Sequence, residues 1–554
     1  MTEKTKSAAP AERVCGAVRE LTHKNRVRPV GNDELKAAME DFRIYREAKA
    51  PLESRIIENE LWYKRRHWEV IGTGSRGAHP EPTSAWLFNT LMNKHADASD
   101  SYPYANVLPR EERDVCSAQL LSEILPVIME RCDFEQTYSD NWWEKLKHGT
   151  AAYGVFWNSE KEQGLGDVDI RMIDLLNIFW EPGVGDLQRS RRLFITDMWE
   201  KSAVERLYPH AGGRLKGGAC TDGCAGTHAA DRDKVLVVDC YYKSRTASGR
   251  QTVHLMKFCE DILLYASEND PEYRERGFYD HGQYPVVMDT LFPEKGTPVG
   301  FGYVAVCKDP QMYIDKLSAN ILETAVMATK VRYFALNNTG INEEELLDWS
   351  RPIVHVEGSS LDENRLKQIK LEPLDKVYVE VLEQKIREMK ETSANRDVNA
   401  GSSGEGVTAA AAIAALQEAG SKNSRDMIAA AYRAYVKICY LCIELIRQFY
   451  TERRCFRITG RNGWEFRSFC SDQIAPKDGC ASPVFDVQVS AERRNPFSRM
   501  SLNETAKELF ELGAFSPEKA REGIIMLELM EFEGKEKALE RLRALAEQTA
   551  RTAD

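Results

Sequence analysis

Thr392-Ser-Ala-Asn-Arg-Asp-Val-Asn-Ala-Gly401-Ser-Ser-Gly404-Glu-Gly406 is the stretch that organises this chain. It has no apolar periodicity, and its three glycines supply positive φ angles that other residues avoid. Helical spacing resumes on either side. After Pro373, Val379, Leu382, Ile386 and Met389 form one apolar stripe. After the loop, Thr408 opens an alanine-rich helix expected to reach about Tyr450, roughly 60 Å at about 1.5 Å per residue. A compact enzyme domain seldom needs an uninterrupted helix of that length, whereas a large assembly that must span a distance often does.

Working outward, the helix before the loop belongs to a pair. Asp309-Pro310 reads as an N-cap followed by proline at the first helical position. Ile314, Leu317, Ile321, Ala325 and Ala328 then mark a helix expected to run to about Leu336. Between the two helices lies a small unit, with a short helix opened by Glu343 to Glu345 and candidate strands at Ile353 to Val356 and Leu366 to Leu371. In the long helix, Met427, Ala431, Ala434, Ile438, Leu441 and Leu445 approximate a heptad seam. The seam suits either a coiled-coil contact or burial against the chain's own sheet.

Toward the N-terminus, residues 1 to about 32 are polar. Helices are expected from Asp33, again after Pro51, from Thr83 to about Ala98, from Arg110 to about Glu130 and from Phe134 to about His148. Tyr102 to Pro109 reads as extended. From Gly149 to about Asp289 the period turns toward two, with strands expected at Ala152–Trp157, Val168–Met172, Lys234–Tyr242 and Thr252–Phe258. The polar, glycine-rich stretch 211–230 interrupts them. Strands around Cys455 to Phe469 and Val484 to Val489 follow the long helix. Helices at Ser501–Leu512, Ser516–Phe532 and Lys535–Thr549 close the chain.

Composition bounds the function. The 554 residues are 43% hydrophobic and 29% charged, enough for several packed cores. Eight of the ten tryptophans fall between Trp62 and Trp199, which places the main core in the first half. Seventy-five basic against 86 acidic residues give a net charge of −11, which excludes an electrostatic clamp for nucleic acid but not DNA that is enclosed rather than gripped. The 13 scattered cysteines and the polar N-terminus suit a reducing compartment. No run of about 18 apolar residues suggests a membrane span.

The catalytic motifs are incomplete. Gly72-Thr-Gly-Ser-Arg-Gly77 fits a dinucleotide fingerprint, but His79-Pro80-Glu81-Pro82 keeps it from opening a helix, so a turn is expected. Val235 to Asp239 looks like a magnesium-binding strand, yet no phosphate-binding loop accompanies it. Cys220, Cys224 and His228, with Cys240 as a fourth ligand, are too loosely spaced for a zinc knuckle, and no bound zinc is expected. His355-Val-Glu357 is half of a deaminase signature without its cysteine partner. The expectation is a protein that is not an enzyme and takes no cofactor.

Two further stretches carry a resemblance. Thr83-Ser-Ala-Trp-Leu-Phe-Asn-Thr-Leu-Met-Asn-Lys-His-Ala-Asp97, with Tyr102-Pro103 and Asn106-Val-Leu-Pro-Arg110, is one. Ser402-Ser-Gly-Glu-Gly-Val-Thr-Ala-Ala-Ala-Ala-Ile-Ala-Ala-Leu-Gln-Glu-Ala-Gly420 is the other. Together with the order of elements, they make residues 40 to 550 resemble the portal protein of tailed bacteriophages, of the podovirus and prophage type. The resemblance implies an α+β, mostly helical and elongated subunit. A mobile arm (1–32) precedes an α/β wing (33–305), a stem helix (306–337), a small α/β clip (338–373) and a second stem helix (374–392). A tunnel loop (393–407), the long helix with the second part of the wing (408–495) and a helical crown (496–554) follow.

The resemblance further implies a ring of this chain, usually of twelve subunits, at one capsid vertex. Its partners would be double-stranded DNA in the channel, the terminase large subunit, the tail adaptor, and capsid and scaffold proteins, with no membrane. It would be a virion component assembled in the host cytoplasm. Asn395, Arg396, Asn399, Ser402 and Ser403 of the loop are then the residues expected to touch DNA, unless the loop is an ordinary surface connector. Two other readings stay open: a capsid or scaffold component without a channel, and a nucleic-acid-processing enzyme whose site is not evident. The insertion 211–230 has no counterpart in the resemblance.

Overall fold

The computed structural model describes residues 29–72, 80–216, 233–246, 249–329, 332–335, 366–369, 376–393, 422–460, 463–475 and 483–493, with a few positions beyond 510. Helix and strand are mixed. The helices are α1 (Asn32–Tyr63), α2 (His67–Ile71), α3 (Trp86–Ser99), α4 (Val115–Arg131), α5 (Phe134–His148), α6 (Lys201–Leu207), α7 (Tyr303–Thr329), α8 (Lys376–Thr392) and α9 (Lys422–Phe449). The strands of the first half are β1 (Ser101–Pro109), β2 (Thr150–Asn158), β3 (Asp167–Ile173), β4 (Ile178–Trp180), β5 (Arg192–Glu200), β6 (Lys234–Arg245), β7 (Gln251–Cys259) and β8 (Ile262–Ala266). Those that follow are β9 (Val286–Thr290), β10 (Phe292–Pro293), β11 (Gly300–Phe301), β12 (Arg332–Ala335), β13 (Leu366–Ile369), β14 (Arg454–Gly460), β15 (Gly463–Phe469) and β16 (Phe485–Arg493).

The described residues fall into two compact units. One holds residues up to 42, 194–216 and 233–283. Its sheet runs β5-β6-β7-β8, the last two pairings antiparallel. The β6–β7 turn closes between Arg245 and Gln251, with Gly249 at φ 83°, a conformation that costs glycine little. Val204, Ala211, Leu215, Val235, Val237 and Ile262 are buried together, with Trp199 and Tyr208 packed against them. The expected strands at 234–242 and 252–258 are therefore present, each slightly longer.

The second unit is built on the antiparallel sheet β3-β2-β9. Thr150 through Phe156 are all buried, so β2 reads as an apolar run rather than an alternation. Helices α5 and α9 pack on this sheet. Lys145 of α5 donates to Asp289 of β9 at 2.7 Å, both side chains almost wholly buried, so each charge has its counter-ion where water cannot reach. At the end of α5, Gly149 (φ 89°) passes so close to Phe301 that a Cβ would lie 2.1 Å from its carbonyl carbon. Gly302 leaves equally little room beside the Leu146 carbonyl oxygen. That crossing delivers the chain into α7.

The heptad-like seam of α9 is resolved in favour of the chain's own sheet. Met427, Ala431, Ala434, Ile438, Leu441 and Leu445 are all buried, and α9 packs on β2, β9 and β16. Trp157 stacks on Phe449 with ring centroids 4.7 Å apart, and the Tyr450 hydroxyl donates to Asp167. β1 and β16 pair antiparallel from Ser101↔Arg493 to Pro109↔Phe485, joining distant parts of the chain.

Several boundaries differ from expectation. Pro51 does not separate two helices: α1 runs through it. Tyr45, Ile56 and Trp62 are buried on both sides of the proline, and Lys49 reaches the Leu176 carbonyl at 2.9 Å, so burial outweighs the lost backbone hydrogen bond. Pro310 likewise lies inside α7, which starts at Tyr303 because Tyr303, Val304 and Cys307 are buried ahead of it. α7 stops at Thr329 instead of about Leu336, and Arg332–Ala335 forms a strand paired with Leu366–Ile369. The stretch 455–469 is a two-stranded hairpin, not a single strand. Residues 1–28, 217–232, 336–365 and 394–421 lie outside the described residues, as do most of the expected C-terminal helices.

Candidate assembly and channel surfaces

Helices α7 and α8 pack against each other as an antiparallel pair, closed at the outer end by the antiparallel β12–β13 ladder. Their inner ends are rooted in the second unit. On α7, Asp315 is fully buried. Its Oδ2 faces His67 Nδ1 of α2 at 2.6 Å, while its Oδ1 accepts from the Ser84 amide (3.0 Å), the Ser84 hydroxyl (2.9 Å) and Gln311 Nε2 (3.0 Å). His67 Nε2 lies 3.1 Å from the Trp62 carbonyl oxygen. Gln311 Oε1 accepts from the Leu87 amide at 3.0 Å and so caps the first turn of α3, whose own N-cap makes no side-chain bond. One turn of α7 thus holds α2 and the start of α3 through a connected polar cluster.

The segments on either side of the expected tunnel loop are both tied to α3. On the α8 side, Met389 and Ser393 are buried, and the Lys390 ammonium lies 5.6 Å from the centroid of the Trp86 ring. On the α9 side, Ser424 donates to Asp97 Oδ2 at 2.6 Å and accepts from Lys94 Nζ at 3.3 Å. Lys94 is almost fully buried, and burial lowers its pKa against the opposing charge of Asp97. The loop residues Asn395, Arg396, Asn399, Ser402 and Ser403 themselves lie outside the described residues.

The outer ends of the pair differ. Leu322, Val326 and Met327 on α7 and Val377, Tyr378 and Val381 on α8 are exposed, Val377 by 54% and Leu322 by 45%. Because Val377, Tyr378 and Val379 are consecutive and all exposed, the first turn of α8 presents apolar surface on more than one side.

The second unit also brings together Glu60, Glu144 and His148, whose ligand-type atoms lie within 4.8 Å of one another. Lys147 occupies the place a cation would take. Its ammonium donates to Glu60 and, at 2.6 Å, lies against Glu144. Burial opposes the Glu60 charge, yet hydrogen bonds and charge from His148 and Lys147 hold its carboxyl well below the usual carboxylate range.

Of the other motifs, Gly72 (φ 69°) ends α2 and does not open a helix. Asp239 is a residue of β6, 3.1 Å from the Lys257 ammonium. Cys240 is buried within β6, and Cys220, Cys224, His228, His355 and Glu357 lie outside the described residues. Sequence reading missed the His67–Asp315 cluster and buried Lys94. The available signal was Gln311 and Asp315, two polar residues one turn apart beside the apolar stripe of α7.

No helix among the described residues is long and apolar enough to cross a membrane. No curated protein matches the chain. A family model described as Phage P22-like portal protein matches residues 96–287 and 248–554, so Tyr102–Arg110 and Ser402–Gly420 fall inside the match while most of Thr83–Asp97 precedes it. With more than half of its length matched, the chain belongs to the P22-like phage portal family.

Proposed function

We propose that copies of this chain close into a ring, usually of twelve, at one capsid vertex, and that duplex DNA enters and leaves the head through its axial channel. The observation that carries this reading is the outer half of the α7–α8 pair, where apolar side chains stand exposed on two adjoining helices. A soluble chain keeps such a surface only where a partner covers it, and repeated copies of itself are the partner that family membership implies. In this reading α7 and α8 are the stem. The residues between them form the clip that docks the terminase large subunit and later the tail adaptor, and the last residues form the crown.

The net charge of −11 per chain supports passage over grip. Lysines and arginines neutralising many phosphates would stabilise each register of the DNA and oppose its movement. The role is structural, with hydrolysis left to the terminase. Asn395, Asn399, Ser402 and Ser403 make neutral hydrogen bonds to passing phosphates, and Asp397 offsets Arg396. Negative-stain images and native mass of the purified protein test the ring: rings with an open axis are expected, and a monomer under assembly conditions overturns it. Deleting Gly401 to Gly404 tests the loop. Rings should persist while DNA per particle falls, and full infectious particles at the normal rate would make the segment a connector.

A further inference from the structure

Resting on the ring reading, we propose that neighbouring copies meet head to tail through two different sides of the α7–α8 pair. Leu322 and Val326 of one copy lie against Val377 and Val381 of the next. The sides follow from helix geometry at roughly 100° per residue. On α7, we take the line facing α8 as the one through buried Ile314 and half-buried Ile321. Turning one way from it reaches Asp315, Leu322 and Val326; turning the other way reaches Tyr313 and Met327. On α8, the matching line runs through half-buried Leu382 and Ile386 and buried Met389. Val377, Val381 and Lys385 lie to one side of it, and Glu383, Arg387 and Lys390 to the other.

Two contacts fix which sides coincide. The Lys385 ammonium lies 5.6 Å from the centroid of the Tyr313 ring, which puts Val377 and Val381 on the Tyr313 side of the pair. Lys390 over Trp86, and Ser84 on Asp315, put the α3 region on the opposite side, the side of Leu322 and Val326. The two exposed apolar doublets therefore occupy opposite sides of one antiparallel pair.

They also share a level. From the Tyr313–Lys385 contact, counting outward to Leu322 and to Val377 covers the same helical length to within one residue. Rotation about a ring axis carries no rise, so with the pair running along the channel, residues at one level meet. An isologous dimer would press one doublet against itself and leave the other in water. A head-to-tail contact covers both on every copy, and it closes without a free apolar edge. The charged flank of α8, with Glu383 and Arg387 exposed, borders the Leu322 side. The Val377 side carries Lys316 and the Lys385–Glu388 pair (2.7 Å), so both rims of the contact are polar and of mixed sign.

The test is disulfide trapping in the full-length chain. Oxidation of a Leu322→Cys/Val377→Cys double variant should give a covalent ladder beyond the dimer under denaturing conditions. Each single variant, which controls for the exposed native thiols Cys116 and Cys455, should stay at background. As a second arm, Leu322→Glu or Val377→Lys alone should cut ring yield at least tenfold, and the two together should restore most of it. Rings of normal mass without the ladder, or with no rescue, overturn this contact and leave the ring reading standing. Dimers from Val377→Cys alone above background show a same-side contact and overturn it as well. A wild-type chain that stays monomeric removes the ring reading, and this contact with it.

Discussion

The two halves of α7 make the instructive contrast in this molecule. From Tyr303 to Asp315 the helix is embedded: Val304, Cys307, Ile314 and Asp315 are buried, and Asp315 accepts hydrogen bonds from two other segments. From Asn320 to Thr329 the same helix, no less apolar, has Leu322, Val326 and Met327 exposed. Helix propensity does not distinguish the halves. The difference lies in what covers them. The inner half is covered by the chain's own α2 and α3, and the outer half is left exposed.

The largest expected effect breaks the inner half. Asp315→Ala removes the acceptor for the Ser84 amide and hydroxyl and Gln311 Nε2, and the partner of His67. Leaving such buried groups unpaired costs about 3–5 kcal/mol. Denaturant unfolding of the dissociated chain should show that loss, and a change below about 1 kcal/mol would mean the cluster does not hold the helix in place.

Acid sharpens the contrast between buried and exposed surroundings, because the interior of the first unit holds histidines where the exposed end of α7 has none. His254, almost fully buried and 3.0 Å from the Ser267 hydroxyl, is pushed down to about 4 by burial. His281 is pushed down to about 4 by burial first, then by Arg250 and Lys243. Between about pH 6.5 and 4 the unfolded chain binds protons that the folded chain refuses, so stability falls as pH falls through that window. At about 1.4 kcal/mol per pH unit, His254 alone accounts for roughly 3 kcal/mol. Stability against pH for His254→Gln should be flatter across the window than for the parent protein, and an unchanged slope would show that the ring is not kept neutral by burial.

The smallest effect belongs to the outer half. Leu322→Ser should shift the unfolding free energy of the dissociated chain by no more than about 0.5 kcal/mol, because little apolar surface is buried there before assembly. A loss of 2 kcal/mol or more would mean that α8 of the same chain already covers Leu322, and the contrast between the halves would fail.

Much of this was legible beforehand. Strands β2, β3, β6, β7 and β13 and helices α3 to α5 lie within a few residues of their expected positions, whereas Arg332–Ala335, expected as the end of a helix, is instead the strand that pairs with Leu366–Ile369. The prolines misled in both cases. Pro51 and Pro310 are ordinary helix boundaries by local rule, and each sits inside a helix because flanking side chains are buried on both sides. The loop that holds Asn395 to Ser403 was legible in composition and its expected channel role only in the resemblance, while its neighbours Ser393 and Ser424 gave no sign of being buried.

By itself the sequence determined the order of elements, the helix pair flanking a glycine-rich loop, and the family, because periodicity and local motifs are properties of neighbouring residues. Only the tertiary structure decided which apolar stripe the chain covers for itself. The seam of α9 and the outer ends of α7 and α8 carry the same helical spacing. Yet the seam lies on the sheet β3-β2-β9, while the ends stand clear of it. Nor could spacing bring His67 and Ser84 to Gln311 and Asp315, because those hydrogen bonds join residues more than two hundred positions apart. Burial depends on where distant segments meet, and that is a property of the folded chain.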